Sequence, residues 1–324
     1  MNIRDLEYIV AIAEHGQFGR AASACHVSQS TLSIQVKKLE DFLGAAIFER
    51  DNKRVMATPV GERILEKART ILQEAKEIRA VAAASRDPLA GDLTLGIFPT
   101  LAAYFLPTLV PALAAALPKV RLLLVEEKTS ELLRNLTAGS IDAAILALPV
   151  PGDAFQSTPL FNDEFLLAVP EGHALAKAKR VREKDLRSRD LLLLEDGHCL
   201  RDQALGVCAR VGAGERQDFR ATSLETLRHM VASGSGITLM PEVAAHATPG
   251  IAYLRFADTP RPSRTIGIVW RRTSVRGELL GRVAEIAREV AGGRPDRGEI
   301  PDAHLPGGSA APAKAKDDGA RRET

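Results

Sequence analysis

Three cysteines occur in 324 residues, and no two of them form a CxxC pair. That argues against a thiolate zinc site, whose ligands come in closely spaced pairs, and no metal or cofactor is expected. No apolar stretch is read as approaching the 18 or so residues that a membrane span needs, and Met1-Asn2-Ile3-Arg4-Asp5 lacks the basic and apolar run of a signal peptide. A cytoplasmic address and no membrane partner are the expectation. Thiols are kept reduced in that compartment, so a sensing or catalytic cysteine is a better candidate than a structural bridge. Charge of one sign is missing as well: the formal net charge is +2, and residues 1–60 carry seven Lys/Arg and seven Asp/Glu. Any nucleic-acid binding must therefore rest on where the charges sit.

A hydrophobic content of 45% over this length is enough for two or three packed domains. Residues 1–58 read as three short helices and a wing. Leu6, Ile9, Val10 and Ala13 recur at helical spacing; Phe18 with Ala21-Ala22 opens a second helix; Ser28 is the N-cap of a third, on which Leu32, Val36 and Leu39 point inward. Residues 59–88 form a long linker helix and hinge, started by Thr58 as cap and Pro59 at its first position. Along it Ile64, Ala68, Ile71, Ala75, Ile78 and Ala82 alternate at four and three residues, the seam of a coiled coil. Dimerisation through this stripe is the expectation, packing on its own domain the plainer alternative. From Leu93 onward apolar runs alternate with helical patterns, which implies an α/β fold with a parallel or mixed sheet. Breaks near Asn162 and Arg264 divide residues 89–292 into two subdomains, 89–162 with 265–292 and 163–264. After Gly292 the composition turns to Gly, Pro, Ala and balanced charge, six basic and six acidic residues from Arg294 to Glu323, so residues 293–324 read as a disordered tail.

Phe18-Gly19-Arg20-Ala21-Ala22, Val27-Ser28-Gln29-Ser30-Thr31-Leu32-Ser33, Lys37-Lys38-Leu39-Glu40, Leu43-Gly44, Phe48-Glu49-Arg50 and Thr58-Pro59-x-Gly61 together resemble the winged helix-turn-helix of LysR-type transcriptional regulators. A recognition helix offers its first side chains to base edges. Here those are Gln29, Ser30, Thr31 and Ser33, with Gln29 suited to a bidentate contact with adenine. Lys37, Lys38, Arg50, Lys53 and Arg54 would meet phosphates. Taken singly, Ser28 reads as a cap, Leu32 and Val36 as packing residues and the lysines as a solvated face; it is the ordered pattern that carries the reading. The resemblance implies a dimer of dimers on promoter DNA.

The segment His198-Cys199 to Val207-Cys208 reads as the start and body of a helix after the strand Leu191–Leu194. Cys199 at a helix N-terminus beside His198 and Arg201 is expected to have a depressed pKa. Its spacing from Cys208 is 208 − 199 = 9 residues, which in a helix separates the two by roughly 13 Å, whereas a disulfide needs less than about 7 Å between Cα atoms. With Phe219-Arg220-Ala221-Thr222-Ser223-Leu224-Glu225-Thr226-Leu227 and Gly234-Ser235-Gly236-Ile237-Thr238-Leu239, the segment looks like the hydrogen-peroxide-sensing branch of the LysR type. That resemblance implies Cys199 as nucleophile, Cys208 as resolving thiol, Thr100 and Thr129 as hydroxyls that meet peroxide, and His198, Arg201 and Asp202 shaping the thiol site. It also implies a regulatory region similar to type 2 periplasmic binding proteins, coupling to RNA polymerase, and reset by a glutaredoxin- or thioredoxin-type reductant. Plainer readings stand beside these: Thr129 as a helix cap, His198 as a turn residue, Arg201 and Asp202 as a solvated face, Cys208 as a small core residue, and Cys25 as a buried, inert thiol. Two rival functions also remain: a LysR-type regulator taking a small organic ligand between the subdomains, lined by Ser233-Gly234-Ser235-Gly236, and a thiol peroxidase, which the DNA-reading pattern argues against.

Overall fold

The computed structural model describes residues 1–50, 55–84 and 86–293. Helix α1 (Ile3–His15) begins at a reciprocal cap, in which the Asn2 side chain accepts from the Asp5 amide and the Asp5 carboxylate accepts from the Asn2 amide. Helices α2 (Phe18–Ala24) and α3 (Gln29–Leu43) follow, and Ser28 caps α3 by accepting the Thr31 amide at 3.1 Å. Strands β1 (Phe48–Arg50) and β2 (Val55–Ala57) pair antiparallel as a wing. Ile9, Ile12, Leu32, Val36 and Leu39 make the core of this head. Replacing Ser28 by Ala should cost the head about 1 kcal/mol, read by chemical unfolding.

Helix α4 (Pro59–Ala84) is fixed at its start by Thr58, whose hydroxyl accepts the Gly61 amide at 2.8 Å and donates to the Ala46 carbonyl at 2.7 Å. Gly61 is required there because a Cβ would lie 2.0 Å from the Ile47 carbonyl oxygen. The expected seam is divided between two environments. Ala68 is buried and Ile64 half-buried against the head, together with Leu65 and Leu72, whereas Ile71 and Ile78 are 43% and 71% exposed, Ala75 is half-buried and Ala82 exposed. The first half of the stripe therefore packs on its own domain, and the second half presents apolar side chains outward.

The α/β region is built from β3 (Gly91–Ile97), α5 (Pro99–Ala116), β4 (Val120–Glu126), α6 (Thr129–Ala138), β5 (Ala143–Leu148), β6 (Phe155–Pro170), β7 (Arg180–Val181), β8 (Asp190–Leu194), α7 (Cys199–Val211), β9 (Gly214–Ala221), α8 (Leu224–Ala232), β10 (Thr238–Pro241), β11 (Ile251–Phe256), β12 (Ser263–Arg271) and α9 (Gly277–Gly292). The main sheet is mixed, in the order β4-β3-β5-β12-β6-β11-β7, with β10 also on β6. Strand β6 spans 16 residues: its first part pairs with β12, its last with β10 and β11. One strand thus joins two lobes. Strands β8 and β9 form a separate parallel pair carrying α7 between them.

Helix α5 corrects the expectation about apolar length, since its 18 residues are long and apolar enough to cross a membrane. Here Leu101, Phe105, Leu109 and Leu113 are buried in the core, and α9 packs alongside. It is a core helix rather than a span, because one face is covered by the sheet and by Leu279, Leu280 and Val283. Strand β9, strand β7 and the first half of β6 lack the continuous apolar run that marks β3, β5 and β8 in the sequence. Of the expected tail, residues 293–324, all but Gly293 lies outside the described residues, as do Lys53 and Arg54 and the side chain of Arg50.

Candidate thiol site and DNA-facing helix

The N-termini of α5, α6 and α7 bring Thr100, Thr129 and Cys199 into one neighbourhood. Cys199 opens α7 behind the cap residue His198 and is half-buried against the larger core. The expected depression of its pKa is not found. Burial pushes the thiol above its ordinary value, and the opposing influences are, in order, the Arg264 guanidinium, the Thr129 hydroxyl and the Leu200 amide, with Asp202 adding slightly to the rise. The reason is that taking a thiolate out of water costs more here than its neighbours return. The helix N-terminus alone does not offset that cost.

The cation at the thiol is Arg264, not Arg201 or His198. Arg264 is fully buried at the start of β12; its Nε donates to Asp163 at 2.9 Å, its Nη1 to the Thr100 hydroxyl at 3.0 Å, and its guanidinium lies 5.1 Å from the centre of the Phe98 ring. Asp163 also accepts the Val243 amide at 3.0 Å. The buried charge is thus paired and hydrogen-bonded, as a buried charge must be. The Thr129 hydroxyl is buried and makes no hydrogen bond of ordinary geometry to oxygen or nitrogen, yet lies close enough to Cys199 to favour its thiolate. Arg264 has no sequence signature, because it sits in Pro262-Ser263-Arg264 and its partner Asp163 is 101 positions away.

His198 is buried, and desolvation followed by the nearby Lys128 lowers its pKa, with Glu195 acting the other way. It contributes a neutral ring near pH 7. Lys128, the cap of α6, donates to Glu195 at 2.6 Å and to the Asp196 carbonyl at 3.0 Å, tying the turn before Cys199 to the opposite lobe. A second tie runs from the Tyr104 hydroxyl to Glu225 at 2.6 Å, with the Tyr104 pKa pushed up to about 12 by burial first and by Glu225 next. Arg201 is buried but faces away from the thiol: Nη1 and Nη2 donate to the two Glu215 oxygens at 2.5 and 2.8 Å, and Nε lies 2.9 Å from Asp196. Asp202 is exposed in the first turn of α7. The turn Ser233-Gly234-Ser235-Gly236 follows the C-terminal end of α8; the Ser235 carbonyl accepts from Arg216 of β9, so the turn is engaged with that strand and not with the N-terminal end of α8 that meets Tyr104.

Cys208 lies about two and a half turns along an uninterrupted α7, on the opposite face from Cys199 and buried in the smaller core with Leu191, Leu193, Val207 and Leu239. Burial also pushes its thiol up, and Glu215 adds to that. Both thiols are free and face different cores. Cys25 is half-buried at the end of α2, its thiol likewise raised by burial.

On α3, Gln29, Lys37 and Lys38 are exposed and Ser33 is half-buried. Ser30 and Thr31 are exposed, but their hydroxyls lie 2.9 and 2.7 Å from the capping hydroxyl of Ser28. Ile34, 55% exposed on the same helix, was not singled out from the sequence.

Residues 3–62 match the bacterial regulatory helix-turn-helix protein, lysR family, and residues 86–292 match the LysR substrate binding domain. A hydrogen peroxide-inducible genes activator of Dickeya chrysanthemi is 47% identical over 90% of this chain and 95% of its own length. The DNA-binding transcriptional dual regulator OxyR of Escherichia coli is 46% identical over 92% of this chain and 98% of its own. Among solved structures, a full-length OxyR from Pseudomonas aeruginosa superposes with a TM-score of 0.73 at 38% identity, covering 89% of this chain and 95% of that one. With both of its parts matched in this order, the chain belongs to the LysR family of DNA-binding transcriptional regulators.

Proposed function

We propose that this regulator senses hydrogen peroxide through a reversible Cys199–Cys208 disulfide and controls oxidative-stress genes from promoter DNA. The observation that carries the reading is the contrast between the two thiols. Cys199 is half-buried at a helix start, with the Thr129 hydroxyl and the Arg264 charge favouring its thiolate, while Cys208 is sealed in another core nine residues on.

The Cys199 thiol loses its proton and its sulfur attacks one peroxide oxygen. The O–O bond breaks, hydroxide leaves and takes up the proton as water, and the sulfur becomes a sulfenic acid. The Cys208 thiol then attacks that sulfur, an S–S bond forms, and the sulfenic oxygen leaves as a second water. Two thiols are oxidised and one peroxide is reduced. Thr100 and Thr129 serve as the hydroxyls that hold the peroxide, and Arg264 favours charge on the attacking sulfur. Closing the bridge needs α7 to come apart between residues 199 and 208, because its helical rise holds the sulfurs too far apart. A dithiol reductant of the glutaredoxin or thioredoxin type returns the pair to thiols and itself becomes a disulfide.

In this reading residues 1–58 are the DNA-binding head and 59–88 the linker. Residues 89–162 with 265–292 form one sensing lobe, and 163–264 the other. Gln29, Ser30, Thr31 and Ser33 face bases, and Lys37, Lys38, Arg50, Lys53 and Arg54 face phosphates. The outward stripe of α4 joins two copies, two such dimers occupy one promoter, and the refolded sensing lobes change how RNA polymerase is met. The protein acts in the cytoplasm and in stoichiometric rather than catalytic fashion. Gln29→Ala should weaken specific binding by about 1–3 kcal/mol and leave non-specific binding unchanged, as read by competitive DNA titration at fixed salt. Mapping thiols by mass after a brief peroxide pulse tests the function itself. A 199–208 bridge supports it, and a peroxide response with both thiols still free would refute it.

A further inference from the structure

The Arg201 guanidinium is nearly buried two residues after the proposed nucleophile, and the carboxylate that receives it, Glu215, is nearly buried as well, with side-chain exposures of 8% and 9%. Both of its oxygens accept from Arg201, and a third donor, Arg220 Nε, reaches Oε1 at 3.1 Å. The sheet register makes this meeting possible. Glu215 stands opposite Leu191 and Arg220 opposite Leu193, with the intervening residues of β9 bulged out of the pair. Arg201 also donates to the Leu194 carbonyl at 3.2 Å, so one guanidinium fastens the first turn of α7 to both β8 and β9. Glu215 bears on the far end of the helix too, where its charge opposes ionisation of Cys208.

We infer that Glu215 is a positioning residue for the disulfide step: by gripping Arg201 it holds the first turn of α7 in the dithiol arrangement and so sets the balance between thiol and disulfide. This rests on the disulfide reading above. Bidentate carboxylate–guanidinium contacts are directional as well as strong, and the one here spans the segment that must come apart. Neutralising Glu215 loosens the dithiol form and removes the lesser of the two influences that oppose ionisation of Cys208, burial being the greater. Both effects favour closure by the same two-thiol, one-peroxide stoichiometry, and neither touches the peroxide-binding hydroxyls.

The test equilibrates the full-length chain with dithiothreitol buffers of graded ratio and quantifies the bridge by mass. Glu215→Gln should shift the midpoint to more negative potential by a tenfold change in ratio, about 30 mV for this two-electron couple. Bridge closure from the sulfenic acid should quicken by about the same factor. Arg201→Gln should give a similar shift, and the double variant should add little, since one removes what the other holds. Arg201→Gln also keeps the inference testable if Glu215→Gln fails to fold. A midpoint equal to the parent's, with reduced and oxidised forms destabilised alike, would mean a purely structural role and overturn the inference. If the parent itself forms no 199–208 bridge, the sensing proposal fails first, which separates the two failures.

Discussion

With Cys199 replaced by serine, the peroxide response should vanish: no sulfenic acid, no bridge, and one and the same promoter footprint before and after oxidant. Serine is close in size, and the site is only half-buried, so the fold should be retained, and loss of response would mean loss of chemistry. Cys208→Ser should behave differently. Its Cys199 should still become sulfenic acid, trapped by a dimedone-type reagent, but the intramolecular bridge should not form. A Cys199→Ser protein that responds fully would end the thiol reading, whatever else the site contains.

The second large effect belongs to Arg264. Replacing it with methionine leaves Asp163 buried at 2% side-chain exposure with its cation gone, and breaking a buried pair in this way costs about 3–5 kcal/mol. Arg264→Lys keeps a charge but cannot reach Asp163, the Thr100 hydroxyl and the Thr100 carbonyl in one plane as the guanidinium does, and it is the variant in which chemistry can be followed. Contacts to a charged group are worth about 1.5–3 kcal/mol, so its reaction with peroxide should slow by roughly ten- to a hundredfold at neutral pH. Stopped-flow loss of thiol measures this, and an unchanged rate would mean that the positive charge, which lysine keeps, acts on the thiol without the planar set of contacts to Asp163 and Thr100.

The pH dependence follows from the same balance. Because burial holds the Cys199 thiol above its ordinary value, thiolate and therefore rate should keep increasing as pH rises through and beyond the usual thiol range. Loss of the Arg264 charge should move that increase to still higher pH. Cys208 is raised by burial as well, so the folded reduced form binds these protons more tightly than the unfolded chain. Its stability is full below the unfolded thiol value and declines as pH climbs through the folded one. A rate plateau well below the ordinary thiol range would contradict the buried-thiol reading.

Much of the framework could be read along the chain because its signals are local. Ser28 before Gln29, Thr58-Pro59 before a helical run, and the apolar runs of β3, β5 and β8 each declare themselves within a few residues. Strand β9 did not, since Gly214-Glu215-Arg216-Gln217-Asp218 spends its charges on ion pairs with Arg201, Arg220 and each other, and so lacks an apolar alternation. The linker stripe is only half legible for a related reason: its spacing says where apolar side chains align, not which surface covers them, and the head takes the first half. At the thiol, sequence neighbours suggested Arg201 and His198 as the cations. Arg201 is claimed by Glu215 and His198 is kept neutral by burial and Lys128, whereas Arg264, 65 residues beyond Cys199, supplies the charge. A nearly invisible residue in the sequence is thus central in space, because buried arginines are rare and only the fold reveals their partners.

Hydrogen exchange of the amides in residues 199–211, followed in the same sample whose 199–208 bridge is counted by mass, probes the switch most directly. Protection in the reduced protein that collapses in proportion to bridge formation is the expected result. Full bridging with these amides as protected as before would show that the two sulfurs meet without dismantling α7, and would contradict the mechanism.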